Sequence, residues 1–78
     1  MPRFLFHVRD GDGLVEDREG AEFPDLDAAR ADAVVASREI LAERIKAGRS
    51  LDGLQFDICD ETGRLLATVP MRDAAGPA

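Results

Sequence analysis

The sequence predicts an α+β fold in the order β-β-α-β-β: a four-stranded antiparallel sheet with one long amphipathic helix packed on one face. Two segments alternate apolar and polar side chains around turns rich in Asp and Gly, which is typical of β-hairpins. Between them lies one long segment whose apolar residues recur at helical spacing. We expect a single small domain over residues 1–72 of the 78-residue chain.

The first predicted hairpin occupies residues 3–17. Its turn, residues 10–13, has the sequence DGDG, and this combination of glycines with turn-forming aspartates favours a tight reversal. Residues 21–23 either extend the sheet or cover its edge. The side chains of the first strand that are expected to face the helix are Phe4, Phe6 and Val8.

The predicted helix begins after Asp25, whose side chain can accept backbone N–H groups as the N-cap. It is expected to end at Lys46, with Gly48 as a left-handed C-cap. Its apolar arc, at about 100° per residue, faces the sheet. The members of this arc are Leu26, Ala29, Ala33, Val34, Ser37, Ile40, Leu41 and Ile45.

The second predicted hairpin pairs a strand over residues 54–59 with one over residues 65–69, and Pro70 stops the second strand. Residues 73–78 have little to bury, and we expect a disordered C-terminal tail there. The predicted core consists of Phe4, Phe6, Val8, Leu26, Ala33, Ile40, Leu41, Phe56 and Ile58.

Ten basic and sixteen acidic residues give a formal charge of −6, spread along the chain. Nucleic acids and anionic membranes are bound by clustered Lys and Arg, so this distribution argues against both partners. No apolar run approaches the roughly 18 residues of a membrane span, and the apolar start is too short for a signal peptide. We therefore expect a cytoplasmic protein.

No catalytic, cofactor-binding or metal-binding constellation is predicted. With Cys59 as the single cysteine and His7 as the single histidine, a zinc site of these residues cannot be assembled. Residues 10–13 begin like a calcium loop, but Val15 stands where that loop requires glycine and Ala21 where it requires glutamate. The pattern places no base beside Cys59 and no nucleophile beside His7. We expect no cofactor and no enzymatic activity.

One helix can cover one face of the sheet, so the opposite face meets either water or a partner. Strand alternation places there a mixed set with an apolar centre, and with Arg9 and Asp57 toward the rim. This set favours a homodimer through this face, or through edge-to-edge strand pairing, over a fully solvated face. The alternative is a monomer whose open side of the sheet is partly exposed to solvent, because single exposed apolar residues are normal. The candidate interface residues are Leu5, His7, Cys59, Leu66 and Thr68.

Five stretches carry a resemblance to a known family: PRFLFHVRDG at residues 2–11, DREG at 17–20, FPDLDAAR at 23–30, DETGR at 60–64 and TVP at 68–70. Together they resemble a family of short, uncharacterised proteobacterial proteins, common in rhizobia and their relatives and classed as a domain of unknown function. The resemblance covers residues 2–71, although this chain has Met71 where such proteins typically have an aromatic residue. It implies no substrate, cofactor or catalytic residue.

The predicted function is a non-enzymatic interaction or self-association module, with a homodimer or another protein as partner. A second hypothesis is an acidic regulatory or antitoxin-like protein that masks a basic partner, and it rests on the charge alone. A stoichiometric basic partner in a pull-down would distinguish it from the first. A third is a small enzyme whose site is shared between two chains, with His7 as the candidate group.

Overall fold

The structure, a computed structural model, describes residues 1–11 and 13–75. It confirms the α+β class, with an antiparallel sheet and one long helix. A second, short helix follows the last strand. The elements are β1 (Arg3–Asp10), β2 (Gly13–Val15), β3 (Ala21–Glu22), α1 (Leu26–Lys46), β4 (Gln55–Asp60), β5 (Leu65–Pro70) and α2 (Met71–Ala75).

β1 and β4 form the centre of the sheet, which runs in the order β2-β1-β4-β5 with every pair antiparallel. β4 pairs with β1 from Phe4 to Arg9 and so occupies one whole edge of β1. β2 and β3 therefore share its other edge, β3 near the start of β1 and β2 near its end. The sheet has five strands and not the predicted four, because residues 21–22 extend it.

The predicted limits of α1 are confirmed by both caps. Oδ1 of Asp25 accepts from the backbone N–H of Ala28 at 2.8 Å. Gly48 has a φ of 70°, and its N–H donates to the carbonyl of Ile45 at 3.1 Å. Because residues next to each end set both limits, the sequence alone was sufficient to place this helix.

α1 packs against β4, β5 and α2 along a row of every fourth residue: Ala29, Ala33, Ser37 and Leu41. Such a row drifts round the helix by about 40° at each step. The drift carries the next member, Ile45, out of the contact and leaves it 65% exposed. The predicted inward orientation of Ile45 is therefore wrong.

The core lies between α1 and the face of the sheet that carries the phenylalanines. Phe6 meets Phe23 and Phe56 edge-on, with ring centroids 5.7 and 6.3 Å apart. Every residue of the predicted core is buried in this cluster or packs against it. Members that the prediction omitted include Leu54, Ala67, Val69 and Met71.

The chain folds back onto α1 after Pro70 and does not leave the domain there. Met71 is fully buried, and its N–H donates to the carbonyl of Leu54 at 3.0 Å. The expected disordered tail, 73–78, is helical as far as Ala75. Residues 76–78 lie outside the described part of the chain.

Candidate functional site

The face of the sheet that points away from α1 is called the open face below. It brings together residues that are far apart in the sequence, because the central strands β1 and β4 come from opposite ends of the chain. The strand registers place on it Leu5, His7 and Arg9 of β1, Gln55, Asp57 and Cys59 of β4, and Leu65 and Thr68 of β5.

A β-bulge determines which leucine of β5 reaches the open face. Strict alternation predicts Leu66 there, in line with Thr68. The register shifts between Ile58 and Cys59, however, so Leu65 lies opposite Cys59 and Leu66 packs against the core. The predicted position of Leu66 on this face is wrong, and Leu65 takes its place with 55% of its surface exposed.

A nearly buried carboxylate, Asp57, lies at the centre of the open face, so the predicted apolar centre with Asp57 toward the rim is wrong. Asp57 is 7% exposed; its Oδ2 accepts from Nε of Arg9 at 3.0 Å, and its Oδ1 accepts from Nε2 of Gln55 at 2.8 Å. A buried carboxylate is tolerated when it is paired and hydrogen-bonded, and both oxygens of Asp57 meet that condition. The pair with Arg9 also neutralises the centre of the face.

His7 holds the segment between β2 and β3 against the edge of the sheet. The backbone N–H of Asp17 donates to Nδ1 of His7 at 3.0 Å. A neutral imidazole that accepts at Nδ1 carries its proton on Nε2. The nitrogen with the lone pair is thus already engaged, which leaves the neutral ring no second nitrogen with which to act as a base.

The carboxylate of Asp17 is held by backbone donors from β1 and from its own loop. Oδ2 accepts from the N–H of Phe6 at 3.0 Å, and Oδ1 accepts from Glu19 at 3.2 Å and Gly20 at 3.1 Å. Burial raises the pKa of Asp17, but the donors Phe6, Gly20 and Glu19, with the nearby His7, outweigh it and lower the pKa below its ordinary value. The ionised form therefore fastens the loop.

Cys59 lies on the same face in an environment that suppresses thiol reactivity. It is 6% exposed; burial raises its pKa, and the negative charges of Asp57 and Asp60 raise it further. The strand register places His7 on a diagonal from Cys59, a neighbour that sequence reasoning could not place. Reactive cysteines have a lowered pKa beside a positive group. The raised pKa of Cys59 therefore disfavours the reactive thiolate, although His7 lies on its diagonal.

The turn after β1 uses its first aspartate for structure. Oδ1 of Asp10 accepts from the N–H of Gly13 at 2.9 Å, and Oδ2 accepts from Nη2 of Arg44 in α1 at 3.3 Å. Asp12, the other aspartate of this calcium-like run, lies outside the described residues. Within residues 1–11 and 13–75, no group of three His, Cys, Asp or Glu side chains could hold a metal ion.

Two grooves, of about 410 and 420 Å³, meet at the C-terminal end of α1 and share Arg44 and Arg49. Arg44 is already bound to Asp10 and to the carbonyl of Ser50. No buried polar side-chain atom in the described ranges lacks a hydrogen-bond partner. A ligand pocket is typically an apolar cavity with a few convergent polar groups, whereas these two grooves are lined mainly by charged and polar residues.

Sequence reasoning placed Asp57 only toward the rim of this face and gave Asp17 no partner, so it missed how both carboxylates are anchored. A signal for Asp57 was present, since a charge in the middle of an alternating strand invites a search for an opposite charge, and Arg9 shares its face. For Asp17 the sequence held no comparable signal. Its partners are backbone groups, and they depend on the path of the loop.

Comparison with known protein families matches residues 3–72 to a family model described as a domain of unknown function (DUF6894). No curated protein and no solved structure matches the chain. Among the helices that the structure describes, none has the length and apolar character needed to cross a membrane.

Proposed function

We propose that this chain, which belongs to the DUF6894 family of domains of unknown function, is a non-enzymatic module that self-associates as a homodimer through the open face. The observation that carries the proposal is a row of apolar side chains across three strands: Leu5, Cys59 and Leu65. Leu65 is 55% exposed at the end of this row, and Leu5 is half-buried. This row supplies the apolar part of an interface, and the neutral pair of Arg9 and Asp57 lies beside it.

The state of the polar groups supports the non-enzymatic part of the proposal. Nδ1 of His7 accepts from Asp17, the thiol of Cys59 is buried with a raised pKa, and the carboxylate of Asp57 is paired with Arg9. A nucleophile or general base needs an accessible reactive atom with a suitable pKa. His7 and Asp57 are engaged in holding the sheet, and Cys59 is buried.

The local charge of the open face supports a second copy as the partner. The pair of Arg9 and Asp57 adds no net charge, so two such faces can approach each other despite the charge of −6 on the whole chain. A two-fold axis would bring the same row of each chain into one interface. Self-association would also supply apolar burial that a chain of this size lacks.

Light scattering after size exclusion, across a wide range of protein concentration, tests the proposal. We expect a mass of twice 8.5 kDa that Leu65→Asp reduces to 8.5 kDa. Circular dichroism should show that the variant keeps its fold, because Leu65 is exposed on the edge strand. The matched control is Val35→Asp, the same change at a similarly exposed position (53%) on the far side of α1, which should leave the dimer intact.

A mass of 8.5 kDa at every concentration would reject the dimer. Dissociation by Val35→Asp but not by Leu65→Asp would place the interface on the helix and reject the open face. The cytoplasm is the proposed setting, since a reducing compartment suits a chain whose single cysteine forms no disulfide.

A further inference from the structure

The solvent side of α1 carries a second apolar line, called the outer stripe below: Ala31, Val35, Arg38, Ala42 and Ile45. The steps between its members alternate between four and three residues, the spacing that keeps side chains on one side of a helix. At about 100° per residue, the stripe lies roughly half a turn away from the buried row that begins at Ala29 and Ala33.

The exposure of this stripe is unusual for a surface helix, whose solvent side is normally polar. Val35 is 53% exposed and Ile45 is 65% exposed. Two exposed alanines complete the apolar part of the stripe: Ala31 precedes Val35, and Ala42 lies between Val35 and Ile45. Arg38 is the one charged member. Scattered apolar residues need no explanation, but apolar residues at heptad spacing on both sides of Arg38 match the seam by which helices pack together.

The charges beside the stripe are unequal. Asp32 and Glu39 directly follow stripe residues, and together with Glu43 they make one flank acidic until Lys46 at its end. All four residues are exposed. An acidic flank next to an apolar seam is complementary to a helix that presents an apolar face with Lys or Arg along its edge.

The same charges disfavour a second copy of α1 as the occupant. In an antiparallel two-fold pair each flank meets its own counterpart in reverse order, which brings Glu39, near the middle of the flank, towards Glu39 of the other chain and leaves only the two ends, Asp32 and Lys46, matched in charge. A parallel pair would instead need a basic flank on the opposite side, where Val34 and Leu41 are directed into the molecule's own core. The acidic flank therefore suits a different chain better than a second copy.

We propose that the outer stripe docks an amphipathic helix of another protein, with an apolar face for Val35 and Ile45 and basic residues for the acidic flank. This surface lies across α1 from the open face. Docking there leaves Leu5 and Leu65 uncovered, so the two surfaces can be occupied together.

Fluorescence anisotropy with the full chain tests this inference. The probe is a labelled synthetic helix with Leu on one face and Lys along both flanks, and its counterpart carries Glu in place of every Lys. We expect saturable binding of the Lys peptide at physiological salt, and binding of the Glu peptide weaker by about tenfold or more. Replacing both Val35→Ser and Ile45→Ser should weaken the Lys peptide by about tenfold or more without changing any charge.

Leu65→Asp should bind the Lys peptide as the parent does, so failure of the homodimer and failure of the docking surface give different results. Equal binding by the Val35→Ser, Ile45→Ser variant and the parent would overturn the inference, because it would reduce binding to non-specific charge attraction. Equal binding of the Lys and Glu peptides would contradict the assignment of a basic helix as the partner. Loss of a parent dimer in the same variant, seen by light scattering, would make a second copy the occupant and overturn the assignment.

Discussion

Arg9 covers the carboxylate of Asp57, with 3.0 Å between Nε and Oδ2. The side chain of Asp57 is 10% exposed whereas that of Arg9 is 51% exposed, so the guanidinium stands between a buried anion and the solvent. A second ion pair of β1, between Nη2 of Arg3 and Oε1 of Glu22, has a similar length of 3.1 Å, and its side chains are 40% and 49% exposed. Its carboxylate is thus far more exposed than that of Asp57, which makes it a useful comparison for the effect of burial.

We expect Arg9→Met to lower the free energy of unfolding by about 1–3 kcal/mol, because it leaves the charge of Asp57 buried with one remaining hydrogen-bond donor, Gln55. Arg3→Met should cost less than about 1 kcal/mol, since both partners are exposed. Urea denaturation measures both values. The double variant Arg9→Met, Asp57→Leu should recover much of the loss; equal losses for the two single variants would contradict this account.

The anchored carboxylate of Asp17 predicts a pH dependence. Its folded-state pKa lies below the ordinary value of 3.8, so it contributes stability that is present above that value and is lost as the pH falls through the folded pKa. The unfolding free energy of Asp17→Asn should therefore fall less than that of the parent as the pH is lowered through and below 3.8. Urea titrations at a series of acidic pH values measure the difference.

Glu61→Gln, at an exposed turn residue, is the control for this pH series and should follow the parent. Asp60 contributes in the same acidic range, because hydrogen bonds from Thr62 and the N–H of Arg64 lower its pKa. Asp60→Asn should therefore flatten the curve as well. Parallel curves for the parent and Asp17→Asn would show that the loop is not fastened by the ionised carboxylate.

Local signals in the sequence were sufficient for the elements whose limits depend on neighbouring residues. Asp25 and Gly48 set the ends of α1 through contacts within a few residues of each end. The bulge beside Cys59 has no such signal, because it arises from the pairing of β4 with β5. Met71 was left out of the predicted core because Pro70 marks the end of the last strand, whereas its burial depends on α1 folding over it.

Sequence reasoning predicted only part of the open face, because only the local patterns within each strand can be read from the sequence. Alternation placed Leu5, His7 and Cys59 correctly on one face, because the strand period is local. The neutral centre formed by Asp57 and Arg9 depends on which strands are neighbours, and the hairpin signals do not determine how two hairpins join.

Gly20 sits where the loop after Asp17 presses against β1. Its φ is 68°, and a Cβ atom there would lie 2.6 Å from the carbonyl oxygen of Phe4 and 2.9 Å from Cδ2 of Leu5. We expect Gly20→Ala to destabilise the fold by about 2 kcal/mol or more, from left-handed strain together with the collision. Gly48→Ala, with a φ of 70° and no atom within 4 Å, should show the strain alone, about 1 kcal/mol. Thermal or urea unfolding compares the two, and similar losses would mean that the loop moves away freely.

The thiol of Cys59 reports on the open face directly. Because it is 6% exposed and its pKa is raised by burial and by Asp57 and Asp60, the native protein should react with iodoacetamide far more slowly than the urea-unfolded chain at the same pH. If two open faces meet as proposed, Leu65 of each chain covers the row that contains Cys59, so the native rate should fall further as the protein concentration rises. Leu65→Asp should abolish that concentration dependence while keeping the slow rate, because the burial of Cys59 within one chain is unchanged.

Alkylation followed by mass spectrometry measures these rates. An alkylation rate of the native protein equal to that of the unfolded chain would contradict the buried position of the thiol. A slow rate that does not depend on protein concentration would contradict the dimer and leave the burial of the thiol unchallenged.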